Sequence, residues 1–288
     1  MGKVDRVSIT TDSTVCLPEA LVKRYAIQVV PLDLVFDGRV YRDGVDISPE
    51  DFYQLLQQAR KLPTTSPASP GDYLKVYQEL SQWADSILCI TVSSKVSAMF
   101  DSAQAAKEAA AEIMPQTTIQ VLDSNTAAMA QGFVVLRAAE AAAQGQGLEQ
   151  VAQVAQDIMG RVRLIASLGT LYYLAKGGRV PKVYAWASSL LKIKPIVQLF
   201  QGEVGLVAKV RTSPRARERL VEIVRQRVAE DPVHVAIFHA HAAEEAEELK
   251  RQVSSRLQCV ELYVTQFTPV MGAHTGPGVL GLAFYSGD

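Results

Sequence analysis

The sequence predicts an α/β protein in two halves, on three observations. Short β-branched runs alternate with helix-forming stretches up to about residue 160, the pattern of a largely parallel sheet covered by helices. The break Gly145-Gln146-Gly147 is followed by a change of texture near that residue. Beyond it, two apolar runs flank Gln201-Gly202-Glu203 as a hairpin, so the second half reads as α+β with a mixed sheet. The expected domains are therefore 1–160 and 161–288.

The elements follow in order. Val7-Ser8-Ile9-Thr10-Thr11 alternates as a strand does, and Asp12-Ser13-Thr14 stops it. Leu17-Pro18-Glu19-Ala20-Leu21 opens a short helix, with Pro18 suited to its first turn. A second strand is expected over 29–36, with Asp37-Gly38 as its turn. Ser48-Pro49-Glu50-Asp51 starts a helix running to about Arg60: a capping serine, a proline at the first position, then acids. The Pro/Ser/Thr stretch 62–71 reads as a loop, and 73–83 as a helix. The run 87–92 has the length and β-branching of a buried strand; it opens through Ser93, Ser94 and Ser97 into a helix from Met99. A strand over 117–122 ends at Asp123-Ser124-Asn125, before an alanine-rich helix over 127–143. The second half predicts a helix over 148–163, a strand over 164–168 and a short helix over 171–176 closed by Gly177-Gly178. Hairpin strands over 194–200 and 204–210 precede an arginine-rich helix over 213–229. A strand over 233–238, a helix over 242–256 and strands over 260–264 and 279–284 complete it.

Composition narrows the function. Of 288 residues, 48% are hydrophobic and 20% charged, enough to bury a sizeable core. Twenty-nine basic residues against thirty acidic ones leave a net charge of −1, which argues against nucleic acid or an anionic membrane as the main partner. No uncharged apolar run reaches about 18 residues, so no stable membrane insertion is expected. The N-terminal stretch lacks the apolar core of a signal peptide. Cys16, Cys89 and Cys259 fit neither a zinc site nor a disulfide framework. The expectation is a soluble cytoplasmic protein. With no Walker loop and no G-x-G-x-x-G, no nucleotide cofactor is expected.

Hydroxyls recur where first-half strands end: Ser13 and Thr14, Thr64 to Ser66, Ser93, Ser94 and Ser97, and Ser124. In open α/β sheets ligands sit beyond the carboxyl ends of the strands, so these loops suit one crevice. Each hydroxyl is equally a turn or cap residue, and Ser97 is placed to cap the helix after it. His274 lies in the glycine-rich loop 272–278, where it can donate to a carboxylate or act as a base. His239 and His241 sit two apart with no third metal ligand in sight, and Cys16 has no nearby base. Lys176-Gly177-Gly178-Arg179 either presents two cations to a phosphate or a partner, or simply caps a helix. The helix carrying Arg215, Arg217, Arg219, Arg225 and Arg227 reads as a solvated face or a docking face.

Taken as an ordered set, these pieces resemble the DegV family of bacterial fatty-acid-binding proteins. The resemblance rests on Thr11-Asp12-Ser13-Thr14 with Leu17-Pro18, Thr65-Ser66-Pro67, Ser93-Ser94-Lys95-Val96-Ser97 and Asp123-Ser124. It continues through the stretch from Tyr173 to Arg179, Leu191-Lys192-Ile193-Lys194-Pro195 and the loop 272–278. It implies a two-domain protein with a long-chain fatty acid in a tunnel between the domains. It also implies a carboxylate held by Thr65 and Ser97, with His274 beside them. Ser13, Ser66, Ser94 and Ser124 are secondary candidates from the strand-end loops. Such a carrier does no chemistry itself and presents the acid to a separate ATP-dependent kinase that makes acyl-phosphate for phospholipid synthesis. Arg179 and Arg211 are the candidate contacts to that partner.

This chain departs from the family at the head-group end. It reads Ser97-Ala98-Met99-Phe100 where the family has Ser-Gly-Thr-Tyr, and Pro67 follows Ser66 where glutamine is commoner. Ala128 stands where a hydroxyl is frequent. The competing reading is an acyl-ester hydrolase using a serine and His274, against which G-x-S-x-G is absent and no acid partner can be picked.

Overall fold

The structure is a computed structural model and describes residues 5–180, 182–183 and 193–287. Its first sheet has four parallel strands in the order β2-β1-β6-β7: β1 Val7–Asp12, β2 Gln28–Val30, β6 Ser86–Thr91 and β7 Thr118–Asp123. Every residue of β6 is buried, as expected of a parallel strand covered on both faces. The second sheet is mixed and six-stranded, in the order β10-β9-β8-β13-β11-β12. Its strands are β8 Arg163–Ser167, β9 Lys194–Phe200, β10 Glu203–Val210, β11 Val233–His239, β12 Cys259–Gln266 and β13 Leu280–Ser286. Within it only the β11–β12 pair is parallel among the described residues.

Helix α5, Ala128–Ala143, packs against strands of both sheets. Its small side chains allow close approach, and Met129, Phe133, Val134, Val135 and Leu136 are fully buried, so it is apolar almost all round. One polar group in it, the buried Gln131, is engaged at both ends of its amide. Its amide donates to Thr11 Oγ1 at 3.0 Å, and its carbonyl lies 2.9 Å from Thr14 Oγ1, sharing the proton that Thr14 gives to Asp12.

Three details differ from expectation. The strand over 29–36 is broken at Pro31, which has no N–H to give to a ladder. Val30 ends β2, while Asp33–Phe36 forms β3 of a separate antiparallel sheet, β4-β3-β5, with β4 Arg39–Arg42. At the step between sheets, Leu32 N–H donates to Ser13 Oγ at 3.2 Å. The stretch 62–71, expected as a loop, contains the third strand of that sheet, β5 Thr64–Ser66, with Thr65 opposite Leu34. Ser97 does not cap the following helix. Helix α4, Met99–Ile113, begins after Ala98, whose near-helical backbone (φ −84°, ψ 16°) makes no side-chain cap bond. A preceding turn, in which Val96 and Ser97 N–H both donate to the Ser93 carbonyl, takes up the chain reversal and leaves the Ser97 hydroxyl free of that task.

A polar clasp fastens α5 to the mixed sheet. Arg137 Nε donates to Tyr285 Oη at 2.6 Å, and its guanidinium pairs with Glu140 and with Glu261 of β12. His234 stacks on Tyr285 with ring centroids 4.4 Å apart and bonds Glu261 Oε1 at 2.8 Å. Replacing one member leaves a partly buried charge without its partner. Arg137→Met is accordingly expected to destabilise the fold by about 2 kcal/mol, discounted for partial exposure, as a lower urea midpoint at unchanged m-value.

Candidate functional site

A cavity of about 450 Å³ lies between the two large sheets. Its walls are mainly aliphatic: Leu32 and Val92 from the first half, and Leu164, Val197, Leu199 and Val279 from the second. Among the described residues no Asp or Glu lines it, and its charged lining residues are Lys95 and Arg179. Its polar lining includes Thr14, Thr65, Ser94, Ser97, Gln198 and His274. An apolar volume with a small polar cluster is the form of a site for an amphipathic small molecule.

Each polar group is positioned by its element. The β3–β5 register holds Thr65 across from Leu34. His274 sits in the last turn of α10, Pro269–Thr275, so the predicted glycine loop is partly helical; Gly276 stops it in the left-handed region at φ +74°. Thr65 Oγ1 and His274 Nε2 meet at 2.7 Å, although 209 residues separate them in sequence. The other ring nitrogen, Nδ1, is buried without a partner among the described residues. It faces Gly177, where a Cβ would come within 2.7 Å, so the missing side chain is what makes room for the imidazole. An orphaned buried N–H costs more than an orphaned lone pair, which places the proton on Nε2, donated to Thr65. Arg179 Nη2 also donates to Thr65 Oγ1, at 3.4 Å. With both lone pairs engaged, the Thr65 hydroxyl proton is left to donate to a ligand oxygen.

Burial, and after it the Arg179 charge, pushes the His274 imidazole down to about 4. It is neutral at physiological pH and acts as a hydrogen-bonding group, not a cation.

Two buried carboxylates hold the frame. Asp12 accepts from Thr14 N at 3.1 Å, Thr14 Oγ1 at 2.6 Å and Val92 N at 2.7 Å, drawing the loop after β6 onto the end of β1. Burial raises its pKa against these hydrogen bonds. Asp43 accepts from Ser13 Oγ at 2.6 Å and from Val270 N at 3.2 Å, pinning the first turn of the helix that carries His274. Burial pushes Asp43 up to about 6. The Asp43 role was not legible in sequence, since Arg42-Asp43-Gly44 looks like an ordinary surface turn.

The structure brings Thr14, Thr65, Ser94, Ser97, Arg179 and His274 to one cavity and leaves Ser13, Ser66, Ser124 and Arg211 off its lining. Ser94 Oγ is already donated to Asp123 Oδ2 at 2.5 Å. Ser13 serves Asp43, Ser124 closes a local turn with Thr126, and Ser66 is exposed on β5. Arg211 is exposed just beyond β10. Leu191 and Lys192 of the stretch 191–195 lie outside the described residues. His241 stacks on Tyr53 at 5.5 Å, and His239 Nδ1 accepts from Ala242 N at 3.4 Å. With no carboxylate beside His274 Nδ1, a serine–histidine–acid arrangement is not assembled among the described residues.

The DegV family model matches residues 6–287. A DegV domain-containing protein of Clostridium perfringens is 32% identical over 279 residues, covering 96% of this chain and 98% of that one. Among solved structures, a fatty-acid-binding DegV family protein from Thermus thermophilus superposes with a TM-score of 0.90 at 32% identity, covering 98% of this chain and 99% of that one. A protein from Eubacterium ventriosum described as binding stearic acid gives a TM-score of 0.90 at 27% identity, covering 97% and 98%.

The depressed His274 pKa carries a stability consequence. The unfolded imidazole takes a proton near pH 6.5 and the native one only near 4, so the contribution is complete above about 6.5 and is lost as pH falls through that window. His274→Gln removes the titrating group. Urea unfolding at pH 7 and pH 4.5 is expected to show the variant losing about 2 kcal/mol less than wild type across that interval.

Proposed function

The chain belongs to the DegV family, and on that premise we propose that it binds one long-chain fatty acid in the cavity between its sheets. In this reading the carboxylate is held by Thr65 and Ser97, with His274 behind Thr65, orienting its hydroxyl toward the ligand. The observation that carries it is an apolar cavity lined by the 2.7 Å Thr65–His274 pair, with no Asp or Glu among its described lining residues. Solved relatives described as fatty-acid-binding proteins support it.

The energetics favour such a ligand. Burying about 14 methylenes at about 0.8 kcal/mol each gives a gross term on the order of 11 kcal/mol before ordering costs. A charge-assisted hydrogen bond adds about 1.5–3 kcal/mol. The tail therefore sets affinity, while the hydroxyls and imidazole orient the head and keep a carboxylate from being left unpaired. Met99 Sδ accepts from Ala68 N at 3.1 Å, so the residue that departs from the family pattern supports the segment following Thr65.

The proposal extends to the cell. The protein acts in the cytoplasm as a non-catalytic carrier, its domains divided near residue 160, and hands its acid to a separate ATP-dependent kinase for phospholipid synthesis. Arg211, exposed and away from the cavity, is available to that partner.

Native mass spectrometry with lipid extraction tests the central point. One fatty acid per chain is expected; an empty protein that also fails to take up C14–C18 acids overturns the reading. In a displacement assay, Ser97→Ala is expected to weaken binding by roughly ten- to a hundredfold without abolishing it, the loss of one hydrogen bond to a charged group. Unchanged affinity removes Ser97 from the site.

A further inference from the structure

We propose that Arg163 and Arg227 form a second ligand site, for a phosphate group, on the mixed sheet beside the β9–β10 hairpin. The site does not depend on the fatty-acid reading, and neither arginine lines the acyl cavity. Val197 and Leu199 of β9 do line it, so by the alternation of a strand Phe200 faces the other side of the sheet. The helix Ser213–Val228 packs on that side, and Arg227 lies in its last turn.

Both guanidiniums are held in place with donors to spare. Arg163 lies over the Phe200 ring, 3.5 Å from its centroid. Its Nη1 donates to the Gly160, Arg161 and Val162 carbonyls at 3.1, 2.8 and 3.1 Å, where the helix Leu148–Arg161 ends. Nε and Nη2 make no hydrogen bond among the described residues. Arg227 Nη2 donates to Gln198 Oε1 at 2.7 Å, which leaves Nε and Nη1 free on the same terms. Among the described residues neither arginine pairs with a carboxylate, although each feels a cost. Burial, and after it the Arg227 charge, makes Arg163 less basic than a free arginine, and burial does the same to Arg227. An anion between them offsets both effects.

Phe200 and Gln198 also line a pocket of about 350 Å³, which meets the acyl cavity at Lys95, Gln198 and Val204. Gly205 stands opposite Gln198 across the hairpin, so no side chain covers the Gln198 amide there. The carboxylate on this pocket, Glu203, is engaged with Lys182 at 3.6 Å, and Lys95 adds a further positive charge. Two guanidiniums with free planar donors suit a doubly charged group with several oxygens, which is a phosphate more than a carboxylate. The Phe200-lined pocket beside them leaves room for an organic remainder, so the class indicated is a phosphomonoester.

The test uses the full chain, with phenyl phosphate as a soluble probe and phosphatidylcholine vesicles with and without phosphatidic acid as a lipid one. Calorimetric titration reads the first and vesicle sedimentation the second. Arg227→Gln, at an exposed position, and Arg163→Gln are each expected to weaken the wild-type interaction about tenfold, the loss of one charge-assisted contact. Thermal midpoints show that the variants fold, and their fatty-acid content is expected to match wild type because neither side chain lines the acyl cavity. Phenyl phosphate binding that weakens in both variants assigns a soluble phosphomonoester. Binding confined to vesicles with phosphatidic acid, and weakened in both variants, assigns a lipid head group. Wild-type protein that binds neither probe, or a folded Arg227→Gln protein that binds as wild type does, overturns the inference.

Discussion

The structure depends on one helix being buried between two sheets. α5 presents alanines and large aliphatics on nearly every face, and strands of both sheets pack against it. Its burial brings the parallel sheet and the mixed sheet together, and the Arg137–Glu261–Tyr285 clasp ties it to the mixed sheet at one point of that seam. The cavity is what the seam leaves open elsewhere. Groups 209 residues apart, Thr65 and His274, touch only because the seam is closed.

The polar end of the cavity is built on the same principle, with buried groups that hold other groups. Asp12 fastens the loop after β6, and Asp43 fastens the start of the helix bearing His274. Both carboxylates are costly to bury and are raised in pKa by burial; their hydrogen bonds to backbone N–H and hydroxyl donors are what offset that cost. The result is a rigid set of donors facing an apolar volume, suited to orienting a head group whose affinity comes from its tail.

Much of this was legible in the sequence, for identifiable reasons. Strands such as 86–91 and helices such as 49–58 announce themselves through apolar runs and caps, which are local physics. The resemblance carried by the ordered motifs named Thr65, Ser97 and His274, and the structure places all three on one cavity. What sequence missed is non-local. Pro31 falls inside an apolar run that reads as one strand, and nothing nearby says that the chain changes sheets there. Thr65 looked like loop because a three-residue strand has too little pattern to recognise, and its pairing with 33–35 is decided at a distance. Ser97 looked like a cap because spacing alone does not show that a turn at Ser93 has already reversed the chain. Asp43 and Arg137 sit in unremarkable local contexts and acquire their roles only in the folded seam.

The most direct test of the central claim is a crystal structure of the protein with an ω-brominated palmitate, located by anomalous scattering. The account predicts bromine deep among Leu164, Val197 and Leu199, with the carboxylate within hydrogen-bond distance of Thr65 Oγ1. Bromine at the Thr65–His274 end, or an acid bound only outside the cavity, would contradict it.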